Sequence, residues 1–343
     1  MCGVVGDSIS GVNRIEGKIF LPTIPPNIIC SITRHQLSVQ PAAMRFRDFV
    51  LLSAICFVWG LNLVVTRWVV AEAGVPPLFF AAIRFAGIAL VLAWFLRPIP
   101  KNMGTLFLIA MGMGAFHFAL LFVGLAHAEA SAVSVVGQLG VPFSTLMSMA
   151  FLGETVGWRR GLGIMMAFAG ALLIAVDPNT FTFSFGLLYV VVAALVASGA
   201  GSLMKKMAPI SALQMQAWIG LFSFAPLFAI SGLTESGGWA AFTTGGWGVW
   251  AATLYAVVGV SVFGHGGFYS LIKKYDISLL SPLTLMTPVW GVVLSVVLLN
   301  EVLSLQLVVG AAISLGGVFV ILVRPNQRMP EAALGNKVSG VKE

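Results

Sequence analysis

Apolar stretches of about twenty residues recur along most of the chain and are separated by short polar connections. A helix rises about 1.5 Å per residue, so a stretch of this length matches the hydrocarbon core of a membrane, which is about 30 Å thick. The pattern therefore predicts ten membrane-spanning helices, at Phe49–Val70, Leu78–Leu96, Met103–Leu125, Ala130–Leu152, Gly161–Val176, Phe181–Met204, Leu213–Gly232, Gly246–Ile272, Ile277–Leu299 and Leu303–Val323.

One unit of this pattern occurs twice, 147 positions apart. Both copies have a proline within an apolar run, then a glutamate, then two glycines at identical spacings from it: Pro142, Glu154, Gly163 and Gly170, and Pro288, Glu301, Gly310 and Gly317. Such self-similarity indicates an internal duplication. Each copy contains five predicted helices, and because five is odd, the second copy enters the membrane upside down. We expect an all-α integral membrane protein with ten transmembrane helices in two inverted five-helix repeats, residues 47–177 and 181–323.

Basic residues are concentrated in the two tails and in every second connection, which together hold 17 of the 19 lysines and arginines. Cytoplasmic segments of membrane proteins carry such an excess. The distribution predicts a membrane protein with both termini in the cytoplasm, residues 1–46 as a disordered tail and residues 324–343 as a second tail. It also accounts for the net charge of +7 without a nucleic-acid partner. For the first tail, the alternative is that translation begins at Met44.

The composition and the motifs argue against an enzyme. Hydrophobic residues make up 59% of the chain and charged residues 9%, whereas soluble domains carry about 25% charged residues. The three cysteines show no metal-binding spacing, and no catalytic or nucleotide-binding motif is present. An integral-membrane enzyme or sensor is a remote alternative, since Glu154 and Glu301 are expected on opposite membrane faces. No catalytic residue, cofactor or metal site is predicted.

Every aspartate and glutamate lies in a tail, in a connection or at the end of a span. Proton-driven transporters commonly hold a carboxylate in mid-membrane as a relay. The position of every aspartate and glutamate outside the middle of the spans therefore predicts a facilitator or an exchanger, or a transporter that moves protons through histidine.

Histidine and arginine supply the candidate ionisable groups within the spans. His117 and His265 occupy nearly equivalent positions of the two repeats, and Tyr269 shares the helix face of His265. An imidazole donates to a carboxylate or accepts from an amine; the alternative is a buried neutral histidine bonded to a neighbouring helix. Arg84, roughly 10 Å deep, is suited to bind a substrate carboxylate through two parallel bonds, or else to pair structurally within the protein.

Other polar and aromatic side chains lie near the middle of the spans, where they are candidates to line a translocation path. They are Trp59, Asn62, Gln138, Ser202, Thr284 and Trp290. Amides and hydroxyls suit a zwitterion, and the alternatives are hydrogen bonds between helices and simple packing of the tryptophans. Pro142 and Pro288 are each expected to remove a backbone donor in mid-helix, which frees a carbonyl as a binding element.

Several of these stretches resemble the EamA family of the drug/metabolite transporter superfamily. The resemblance spans about Arg47 to Val323 and is carried by Trp59–Val65, Pro76-Pro77, Ile83-Arg84-Phe85, Glu129–Val133 leading into Gln138, both glutamate–glycine units, Lys273-Lys274-Tyr275, and Ser281–Leu283 followed by Pro288. It implies ten helices around a central cavity lined mainly by helices 1, 3, 4, 6, 8 and 9, with export as the common direction.

The chain resembles bacterial exporters of O-acetylserine and cysteine, which implies a location in the bacterial inner membrane. The implied function is export of small amino acids or related metabolites by alternating access. Relatives that carry drugs or sugars leave a broader metabolite carrier as the alternative. The implied partners are a small-molecule substrate and the lipid bilayer, and the sequence fits a monomer as well as a homodimer.

Overall fold

The computed structural model describes residues 44–152, 156–176, 183–204, 207, 210–275 and 277–323. Glu154 lies outside the described residues, as do residues 1–43 and 324–343 of the two predicted tails. The predicted positions of these segments therefore remain predictions.

The described part of the chain folds into ten apolar helical spans. They are α1 (Phe46–Glu72), α2 (Pro77–Val91), α3 (Met103–His127), α4 (Ala130–Val136, Gly137–Leu139 and Gly140–Leu152), α5 (Trp158–Ala175), α6 (Phe185–Met204), α7 (Ala212–Thr234), α8 (Gly246–Ile272), α9 (Ile277–Leu283 and Met286–Leu299) and α10 (Leu305–Val323). Within these ranges, nine spans are long and apolar enough to cross a membrane. The exception, α2, is shorter than predicted because the chain tightens into a 3₁₀ turn at Ala93–Leu96.

The two ends of the helical bundle carry different chemistry. We call the end with Glu235 and Glu301 the glutamate end, and the end with Lys273 and Lys274 the lysine end. At the lysine end, Nζ of Lys274 lies 3.1 Å from Oδ1 of Asp48, which joins the end of α8 to the start of α1.

The paired glycines of the two repeats meet each other between α5 and α10. A Cβ atom built on Gly170 would lie 2.5 Å from the carbonyl oxygen of Gly310, and one built on Gly317 would lie 2.5 Å from that of Gly163. Only glycine permits backbones to approach this closely. The first glycine of α5, Gly163, meets the second glycine of α10, Gly317, and Gly170 meets Gly310. The two helices, which hold equivalent places in the two repeats, therefore run antiparallel. This contact shows directly that the repeats are inverted.

The helices α4 and α9 are each broken at equivalent positions. The chain passes through a 3₁₀ turn at Gly137–Leu139 in α4, and α9 is interrupted between Leu283 and Met286. The structure corrects one expectation, because Pro142 and Pro288 do not lie in a helix interior. Each is the third residue of the helical segment that follows the break. A backbone N–H at this position has no acceptor within its own segment, so proline is well tolerated there.

Candidate functional site

A cavity of about 470 Å³ lies at the lysine end of the bundle. Its lining comes from α1, α3, α6, α7, α8 and the α6–α7 connection: Trp59, Met113, Met204, Met207, Ile210, Ala212, Met215, Gln216, Ile219, His265, Phe268, Tyr269 and Ile272. Met204 and Ile272 lie at helix ends, whereas Trp59 and His265 lie well inside their helices. The cavity therefore extends from the lysine end towards the middle of the bundle. The lining includes α7 and omits α4 and α9, which differs from the lining that the family resemblance implied.

Three of the predicted site residues line this cavity. The ring of Trp59 lies 5.4 Å from that of His265 and 5.3 Å from that of Phe268, between centroids, so these rings form the inner wall. Tyr269 lies nearer the lysine end, where Nζ of Lys273 lies 4.6 Å from the centroid of its ring. The face of an aromatic ring attracts an ammonium group electrostatically and can also pack against apolar groups of a ligand.

His117 is held differently from His265, although the two belong to equivalent helices. Its Nδ1–H donates to the carbonyl oxygen of Ala193 at 2.9 Å, a bond that joins α3 to α6. This is the arrangement of a histidine that fixes a neighbouring helix, the alternative that the sequence left open. His117 follows the π-helical segment Met111–Phe116, and His265 is the last residue of the π-helical segment Tyr255–His265. Such segments are rare and recur at functional sites.

Arg84 is the charged side chain placed deepest among the described residues, with only 2% of its surface exposed. Its guanidinium carbon lies 4.7 Å from the ring centroid of Phe118 and 5.9 Å from that of Phe122. Its Nε and Nη1 atoms are buried and have no hydrogen-bond partner in the described part of the chain. Arg84 does not line the cavity, but Phe118, which it contacts, lies in α3 five residues beyond Met113 of the lining.

Buried polar atoms without a hydrogen-bond partner occur on several helices of the described part of the chain. They include Trp59 Nε1, Asn62 Oδ1, Thr66 Oγ1, Arg84 Nε and Nη1, and Trp218 Nε1. More than about 90% of buried polar groups in proteins have a partner. The exceptions on α1, α2 and α7 therefore indicate that water or a ligand supplies the missing partners.

The remaining predicted residues do not reach the cavity. Ser202 donates to Ser198 O at 3.0 Å, and Thr284 donates to Ser281 O at 2.8 Å, so both hydroxyls bond within their own segments. Trp290 packs edge-on against a phenylalanine of α1. The partly buried Gln138 lies in the 3₁₀ turn that interrupts α4.

Sequence reasoning missed the methionines of the lining, Met113, Met204, Met207 and Met215. The chain contains 14 methionines, most of them in apolar runs, and nothing in their spacing separates these four from residues that only pack. The flexible thioether side chain adapts to ligands of different shape.

Glu301 binds the N-terminus of a helix in the other repeat. Its Oε1 accepts from the backbone N–H of Ala130 at 2.7 Å, and its Oε2 accepts from that of Ser131 at 3.0 Å. A carboxylate at a helix N-terminus satisfies free donors and complements the helix dipole. Beside it, burial raises the pKa of Glu129; the charge of Glu301 adds to the rise and Arg67 opposes it.

Glu235 makes the same kind of contact at the same end of the bundle. Its two carboxylate oxygens accept from the backbone N–H groups of Leu78 and Phe79, at 2.9 Å each, and so cap α2. Ser231 donates to the same carboxylate at 2.7 Å. At the glutamate end, two carboxylates of the second repeat thus hold helices of the first.

Comparisons with known proteins agree on one family. The EamA-like transporter family matches the chain twice, over residues 48–176 and 184–323. A probable amino-acid metabolite efflux pump of Escherichia coli (strain K12) is 25% identical over 289 residues, covering 81% of this chain and 95% of that protein. A probable terminal-alkyne amino-acid exporter of Streptantibioticus cattleyicolor is 26% identical over 295 residues, covering 80% and 96%. A solved crystal structure, 20% identical, matches with a TM-score of 0.57 over 81% of this chain and 96% of that chain, which shows the fold alone.

Proposed function

Because this chain belongs to the EamA-like transporter family, we propose that it exports small amino acids or related metabolites across the bacterial inner membrane by alternating access. The relatives named as amino-acid efflux pumps and exporters support this cargo. The lysine end faces the cytoplasm in this proposal, because cytoplasmic connections carry the excess of lysine and arginine.

The observation that carries the proposal is a cavity that begins at the lysine end and reaches Trp59 and His265 inside the bundle. At the opposite end, Glu235 and Glu301 hold helices of the first repeat in place. This arrangement corresponds to a carrier that is ready to load cargo from the cytoplasm. The cavity lining in the described part of the chain contains no carboxylate, which supports a facilitator or an exchanger.

A broader carrier of apolar metabolites is the second candidate. The lining combines four methionines with Trp59, Phe268 and Tyr269, which favours apolar cargo. It offers few polar groups to a sugar, whose hydroxyls all need partners on burial.

The two histidines provide a test that separates binding from packing. In proteoliposomes preloaded with radiolabelled O-acetylserine or cysteine, we expect His265→Ala to lower efflux about tenfold, the equivalent of one lost hydrogen bond of roughly 1.4 kcal/mol. His117→Ala removes the bond to Ala193, so we expect reduced thermal stability with efflux per folded molecule nearly unchanged.

Protein-free liposomes give the baseline, and size-exclusion profiles report folding of each variant. Efflux of both amino acids at the baseline rate would remove the proposed function while leaving the fold intact. Equal losses of efflux in the two variants would refute the separate roles.

A further inference from the structure

The charge balance around Arg84 restricts the cargo further. The guanidinium stays protonated at physiological pH. Because only 2% of the residue is exposed, water hydrates the guanidinium very little. Its guanidinium carbon lies over the ring of Phe118, and the N–H groups of Nε and Nη1 are buried donors without acceptors in the described part of the chain. These two groups point along different edges of the guanidinium, so each is free to donate to an anionic oxygen. Hydrogen bonds from a guanidinium to a carboxylate are charge-assisted and strong.

The protein supplies no compensating anion from the part of the chain that the structure describes. Asp48 pairs with Lys274 at the lysine end, and Glu235 and Glu301 cap helices at the glutamate end. The other two described carboxylates, Glu72 and Glu129, are exposed. The groups that interact electrostatically with Arg84 are Tyr255 and histidines, none of which is an anion at neutral pH. A buried cation without a compensating anion is strongly unfavourable.

The cavity at the lysine end is apolar over most of its surface. Methionine, isoleucine and aromatic side chains make up the larger part of the lining, and Gln216 and His265 are among its few polar members. A free amino acid bound with its carboxylate towards Arg84 would leave its ammonium group in these surroundings. Neither the lining nor the surroundings of Arg84 place a described carboxylate beside that ammonium.

We propose that the preferred cargo is a net anion with an apolar body, such as a carboxylic acid or an amino acid whose amine is acylated. A cargo with one negative charge neutralises Arg84 and leaves no second charge to compensate. A zwitterion has no net charge, so the net charge at the site remains +1 when it is bound. This inference rests on the proposed export function and specifies its substrate class. Cationic compounds are rejected for the same reason, because they add a second positive charge.

A matched set of labelled compounds tests the proposal directly. N-acetylphenylalanine, phenylalanine and phenylalanine amide share one aromatic body and carry a net charge of −1, 0 and +1 at neutral pH. Transport of each is measured with the full-length protein in proteoliposomes. We expect the acetylated acid to move at least about tenfold faster than phenylalanine, and the amide to remain at the rate of protein-free liposomes.

Substitution of Arg84 then identifies the group responsible. Arg84→Gln is expected to abolish the preference for the anion, while Arg84→Lys retains the charge and therefore the order of preference at a lower rate. Arg159→Gln, the same change at an exposed arginine, serves as the matched control and is expected to leave the order unchanged.

The wild-type ranking decides the outcome even if an Arg84 variant does not fold. Phenylalanine moving as fast as its acetylated form, or faster, would overturn the anion preference while the export function stands. Baseline rates for all three compounds and for O-acetylserine would overturn both proposals together.

Discussion

Replacing Gly317 with alanine is expected to destabilise the protein by about 1–3 kcal/mol, because a methyl group has no room at this position. The new Cβ would lie 2.5 Å from the carbonyl oxygen of Gly163 and 2.6 Å from the backbone nitrogen of Ala167. Both neighbours are backbone atoms of a packed helix, so relief requires α5 and α10 to move apart. The loss is measured as a lower thermal unfolding midpoint of the detergent-solubilised protein.

The neighbouring residue provides the control for this experiment. A Cβ atom on Gly316 would meet only the terminal carbon of Met166, at 3.8 Å, so Gly316→Ala introduces no overlap. Alanine is favoured over glycine in a helix by about 1 kcal/mol, and we expect this variant to be as stable as the wild type or slightly more so. Equal unfolding midpoints for the two variants would show that the glycine contact between α5 and α10 is not needed for stability.

Replacing Glu301 with glutamine is expected to loosen the start of α4. Glutamine offers one acceptor instead of two and carries no charge, so at least one of the bonds to Ala130 and Ser131 is lost. A hydrogen bond to a charged group contributes about 1.5–3 kcal/mol. We therefore expect backbone amides over Ala130–Val136 to exchange hydrogen for deuterium more than about tenfold faster, measured by mass spectrometry on peptides.

Glu235 offers the same substitution at a second helix. Glu235→Gln is expected to speed exchange at the start of α2, where its carboxylate caps Leu78 and Phe79, and to leave α4 unchanged. Exchange that rises equally in both helices in either variant would indicate general unfolding and contradict the local role of each carboxylate.

The span pattern and the repeat can be derived from the sequence because both follow from periodic, local features. Apolar length defines each helix, and the repeated glutamate and glycines define the duplication. The partner of Glu301 cannot be derived in this way. Ala130 is 171 residues away, and its N–H group is a backbone donor that leaves no mark on the sequence.

The candidate site was predictable only where a residue type is unusual for its environment. Arg84 and His265 attract notice as ionisable groups in apolar spans, and the structure places His265 in the cavity lining and buries Arg84 within the bundle. The methionines of the lining are ordinary residues of a membrane helix, so their role depends on which helix faces they occupy. The position of the breaks in α4 and α9 could not be derived from the sequence either. A proline occurs both in the first turn of a helix that follows a break and within a kinked helix, so its presence does not locate the break.

The crosswise glycine contact is self-complementary: Gly163 and Gly170 of one helix meet Gly317 and Gly310 of its inverted counterpart through the same pattern. A surface that recognises an upside-down copy of itself forms an isologous joint and requires no second, differently shaped partner. A single five-helix unit inserted in both orientations would already carry this joint. Fusion of two such units into one chain then ensures that every molecule contains one copy of each orientation.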